Sequence, residues 1–131
     1  MNPKKTFSAP RLICLLSLLL LTSAAVHAAG AAKATVYATF LSKKDRSNAN
    51  GERLTTVADI LRQDRANYHQ GKGDRKDEND GGMFATKEGR AKFGQYAIVL
   101  ENLKAADIVN GTYGSVVVRV VGQKIYVEGV E

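Results

Sequence analysis

Apolar and polar residues alternate most regularly at the C-terminal end. In SVVVRVV (115–121) and KIYVEGV (124–130) every second side chain on one face is apolar, and Gly122-Gln123 stands between the two runs. A glycine-first two-residue turn of the II′ form matches the twist of paired strands, so the pattern predicts a β-hairpin over 115–130. Its register sets Val120 opposite Ile125 and Val118 opposite Val127, on one face with Val116. Arg119 then faces Tyr126 and Val117 faces Glu128 on the other side. The first face is the expected core. A further strand is predicted over ATVYATFL (34–41), rich in β-branched and aromatic residues, with Val36 and Phe40 on one face and Tyr37 and Leu41 on the other.

Two stretches follow a helical period instead. Thr55 or Thr56 caps the first, Asp59 falls in its opening turn, and Val57, Ile60, Leu61 and Tyr68 form its apolar stripe. That reading leaves Arg62, Gln63 and Arg65 for water and puts Asp64 near the edge of the buried face. The second, TKEGRAKFGQYAIVLENL (86–103), spaces Phe93, Tyr96, Ala97, Leu100 and Leu103 helically, with Thr86 as its cap. Gly89 and Gly94 each weaken that helix by roughly 1 kcal/mol against alanine, and a strand at 96–100 is the alternative. Between them, SKKDRSNANGER (42–53) reads as a surface loop with an Asn50-Gly51 turn. The fold class predicted is α+β: a small antiparallel sheet of about three strands packed on one face by two helices.

The N-terminal pattern is different in kind. Lys4, Lys5 and Arg11 precede LICLLSLLLLTSAAV (12–26), an apolar run shorter than the ~20 residues that span a bilayer, and VHA offers small residues for cleavage. Residues 1–28 are therefore expected to be a signal peptide cleaved near Ala28, and 29–131 a single domain without a transmembrane segment. Cys14 lacks the small residues that precede a lipoprotein cysteine. The expected location is the periplasm or the exterior.

Cleavage changes the charge. The chain's +6 falls to +3, because three of its 19 Lys and Arg are removed with the leader and none of its 13 Asp and Glu. A mild +3 with interleaved acids does not suit nucleic acid. The single cysteine leaves as well, and with it any disulfide, thiol nucleophile or thiolate ligand. One histidine, His69, then remains, too few for a zinc or copper site.

The candidate chemistry lies in YHQGKGDRKDENDGGMF (68–84), which packs seven charges into an almost entirely polar run. From Asp77 onward, DENDGGMFATKE resembles an EF-hand loop, with Asp77 at position 1, Asn79 at 3, Gly82 at 6, Phe84 at 8 and Glu88 at 12. The resemblance implies calcium held by Asp77, Asn79 and Glu88, and no other cofactor is expected. Gly81 occupies position 5 without an oxygen, no helix enters the loop, and Lys72, Arg75 and Lys76 repel a cation. His69 near Asp64, Tyr68 and Asp74 has the makings of a general base, yet Ser42, Ser47 and Ser115 lie in no nucleophile motif. A histidine at a helix C-terminus is also simply favoured by the dipole. GKG lacks the ending and the preceding strand of a phosphate loop. The function expected is a non-enzymatic interaction module that binds or inhibits a protein or cell-envelope component. Its contacts are Tyr68, His69, Arg75, Asp77 and Asp80 around the charged loop 70–82. Calcium binding is the alternative.

Overall fold

The computed structural model describes residues 33–131, so the leader predicted at 1–28 lies outside the described residues. Four strands form one mixed sheet in the order β1 (Thr35–Phe40), β3 (Ser115–Val121), β4 (Lys124–Gly129), β2 (Ala97–Glu101). Three helices, α1 (Val57–Asn67), α2 (Lys87–Gln95) and α3 (Ala105–Asn110), complete an α+β fold. No helix among the described residues is long and apolar enough to cross a membrane.

The hairpin has the predicted register, Val120 against Ile125, Val118 against Val127, Arg119 against Tyr126 and Val117 against Glu128. Gly122 turns it with φ +57°, a conformation that an L side chain resists. Val116, Val118, Val120, Ile125 and Val127 are buried as expected, packed with Ile60, Leu61, Phe93 and Ile108 of the helices. Each such side chain contributes roughly 1.5–3 kcal/mol of transfer free energy. The opposite sheet face stays open to solvent. Val36, Phe40 and Val121 are exposed there, and Arg119 stacks on Tyr126 while pairing with Glu101.

The stretch 86–103 departs from the single helix its spacing suggests. Thr86 caps α2 by accepting the Gly89 amide proton, but the chain turns extended at Tyr96 and enters β2. Ile98 and Leu100 pair in parallel with Ile125 and Val127, packing against the core, so cross-strand contact overrides the helical period. That parallel pair makes the sheet mixed and four-stranded. Gly89 costs α2 propensity for a packing reason: a Cβ there would lie 2.4 Å from the Met83 carbonyl oxygen. The predicted loop at 42–53 carries a 3₁₀ turn over Lys43–Arg46, then a tight reversal closed by a Ser47–Arg53 bridge.

Candidate functional site

Val57, Ile60, Leu61, Asp64 and Arg65 all lie on the buried face of α1. Their spacing of 0, 3, 4, 7 and 8 is one continuous helical stripe, and its last two members are charged. Arg65 was expected in water; it is 0% exposed. Burial is tolerated because every side of the guanidinium is occupied. Nε donates to Asp64 Oδ2 at 2.7 Å, Nη2 to Thr39 Oγ1 at 2.9 Å, and Nη1 to the Glu78 carbonyl at 2.9 Å. Asp80 Oδ2 lies 3.8 Å from Nη1. Its two flat faces meet the Tyr37 and Tyr68 rings, at 4.3 and 4.5 Å from their centroids.

The charged loop closes over this arginine and bonds its acids to the protein's own groups, Asp80 buried and Glu78 at an exposed position. Asp77 Oδ1 accepts from the Thr39 hydroxyl and the Phe40 amide, each at 3.0 Å, and its other oxygen accepts the Asp74 amide proton. Glu78 binds Ala38 like a strand partner: its amide donates to the Ala38 carbonyl and its carboxylate accepts the Ala38 N–H, both at 2.8 Å. Asp80 is 1% exposed, bonded to His69 Nε2 at 2.8 Å and to the Gly82 amide. Asp74 pairs with Lys44 at 3.2 Å. The loop's bases, Lys72, Arg75 and Lys76, are exposed, and among the described residues none has a carboxylate within 4.0 Å. Lys76 instead stands 5.9 Å from the centroid of the Phe40 ring.

Burial raises the Asp64 carboxyl to about 6, outweighing the opposing pull of Arg65 beside it. The geometry gives a reason that Asp64 accepts a proton readily. Thr39 has one hydroxyl proton, yet Asp64 Oδ1 at 2.8 Å and Asp77 Oδ1 at 3.0 Å both compete for it. A proton on Asp64 leaves Thr39 free to serve Asp77. Burial also raises the Tyr37 phenol well above its ordinary value, and its hydroxyl has no partner among the described residues.

Of the residues expected to bind, Tyr68, His69, Asp77 and Asp80 come together, while Arg75 stands apart on the outer surface. His69 is oriented by Asp80, a partner eleven residues on, and not by Asp64 or Asp74. The three oxygens expected around calcium are dispersed: Asp77 points into the β1 edge, Asn79 caps the Gly81 amide, and Glu88 is exposed in the first turn of α2. Among the described residues no group of three or more His, Cys, Asp or Glu converges to hold a metal ion. Thr39 and Arg65 were not among the candidates. The signal for Arg65 was its place on the α1 stripe, and for Thr39 its inward position between Tyr37 and Leu41.

Most of the network's donors and acceptors answer one another, the Tyr37 hydroxyl and Asp74 Oδ2 being the exceptions among the described residues, and together they fix the loop against β1 and α1. No protein-family model, curated protein or solved structure matches this chain.

Proposed function

We propose that the protein is an exported, non-enzymatic interaction module whose 70–82 loop recognises an acidic patch on an envelope or secreted protein. The observation that carries this reading is the loop's separation of charge. Its four acids are engaged by the protein's own groups, and its three bases face solvent without acidic partners. The acids' hydrogen-bonding capacity is spent largely inside the protein, Glu78 at an exposed position, while the bases keep theirs for a partner. Unpaired bases of this kind steer encounter with an acidic partner and select against basic ones. Because the loop is already pinned to β1 and Arg65, little ordering entropy is lost on binding. Phe40, 37% exposed beside Lys76, supplies an aromatic anchor at the edge of the charged surface.

The test reverses the outward charges. Arg75→Glu with Lys76→Glu should leave the melting temperature unchanged and abolish cross-linking to the partner in the exporting cell. Equal cross-linking by the variant and the parent would sink the proposal. The alternative, calcium held by Asp77, Asn79 and Glu88, requires Asp77 to leave Thr39 and the Phe40 amide. A saturable calcium isotherm that vanishes in Glu88→Gln would put that reading first.

A further inference from the structure

Beyond the loop, a groove of about 700 Å³ runs between the Lys43–Arg46 turn, Arg53 and the C-terminal end of α3. That volume lies in the range that encloses a small organic ligand. Three of its lining residues are basic, Lys43, Arg46 and Arg53, and none is acidic.

The two arginines are held in place from behind. Arg46 donates through Nε to the Ile108 carbonyl at 2.7 Å and through Nη2 to the Tyr113 carbonyl at 3.1 Å. Arg53 donates through Nη2 to the Val109 carbonyl at 3.2 Å and to Asn110 Oδ1 at 3.0 Å. Two of these bonds cover the Ile108 and Val109 carbonyls at the end of α3, and the others tie the arginines to the Asn110 side chain and to Tyr113 beyond the helix. They also leave Arg46 Nη1, and Nε and Nη1 of Arg53, without a partner among the described residues. No carboxylate there lies within 4.0 Å of either guanidinium. Burial lowers the Arg46 pKa, Asp45 pulls it back up, and repulsion from the neighbouring Arg53 is a smaller lowering effect. Two like charges held by neutral carbonyls, with free N–H groups and no carboxylate in ion-pair contact, present the donor set that an oxyanion takes.

We propose that this groove binds a phosphomonoester, with Arg46, Arg53 and Lys43 on the phosphate and Phe40 and Val109 against its organic body. Three cations without an acid suit a group of charge near −2 better than a monocarboxylate. The volume exceeds that of the bare ion, and the apolar lining on Phe40, Leu41 and Val109 gives the remainder a surface to cover.

Calorimetric titration of the purified full chain tests this with phenyl phosphate, inorganic phosphate and benzoate as probes. Phenyl phosphate is expected to bind one site, more tightly than either of the others. Arg53→Gln, at an exposed position, should weaken it about tenfold or more without lowering the melting temperature. Lys87→Gln, an exposed charge in α2, should leave the affinity unchanged. A flat trace with phenyl phosphate overturns the site, as does unaltered binding by Arg53→Gln or equal weakening by Lys87→Gln. Benzoate binding as tightly as phenyl phosphate overturns the phosphate assignment. Equal affinity for inorganic phosphate overturns the role of the apolar lining.

Discussion

Arg65 and Arg46 are both pinned arginines, and the molecule treats them in opposite ways. Arg65 is wholly enclosed, with Asp64 and Asp80 within 4.0 Å and an aromatic ring on each face. Arg46 leans on two backbone carbonyls, and among the described residues no carboxylate comes within 4.0 Å of it. The first arginine is internal mortar whose removal strands buried carboxylates. The second holds a helix end lightly and keeps its charge available. The identity of the counter-groups, and not burial alone, separates a structural arginine from a recognising one.

The comparison breaks most visibly at Arg65. Arg65→Met should cost about 3–5 kcal/mol in urea unfolding, because it leaves buried acids without their cation. Arg65→Lys should lie between that variant and the parent, keeping charge but losing the planar fork. A loss below about 1 kcal/mol would show that the carboxylates are satisfied without Arg65.

The next effect is a dependence on pH. Asp64 has a folded-state pKa of about 6 against an ordinary 3.8, so between these values the folded state binds the proton more tightly. Stability from this group is therefore fully present below about pH 4 and is lost as pH rises to about 6, by on the order of 3 kcal/mol. Other carboxylates add their own slopes, so the quantity to measure is the unfolding free energy of the parent minus that of Asp64→Asn across this window. A difference that stays flat would remove the contest for the Thr39 proton.

Thr39→Val keeps the shape and deletes that hydroxyl, and should cost about 1–3 kcal/mol by depriving Arg65 and the two aspartates of a shared partner. Arg46→Gln should cost least, about 1 kcal/mol, since the Ile108 and Tyr113 carbonyls lose donors at a half-buried position that water can reach. A loss as large as that of Arg65→Met would erase the contrast between the two arginines.

Much of the fold was legible from local pattern. The hairpin's register follows from one turn glycine and strict alternation, which leaves each side chain one choice of face. The α1 and α2 caps follow from threonine chemistry. The fate of 96–101 was less legible, because Tyr96, Ala97 and Leu100 continue the helical stripe from Phe93 while the apolar run Ile98, Val99 and Leu100 equally suits a strand until β4 offers it partners. In the charged loop, sequence located Tyr68, His69, Asp77 and Asp80 but not the direction each would point. That direction depends on Arg65, whose place on the α1 stripe was readable but whose charge argued for water. Its burial required Thr39, Asp64 and Asp80 at once, a coincidence of positions far apart in the chain.

The carboxylates of Asp77 and Glu78 occupy the amides of Phe40 and Ala38 along the outer side of β1. At the other end of the sheet, β2 has β4 as its one strand partner. The two edges of the sheet therefore differ: β1 has side chains of the loop on its outer amides, and β2 is bordered by β4 alone. The acidic side of the loop thus leaves the Ala38 and Phe40 amides spoken for, and any strand added at this edge has first to displace two carboxylates.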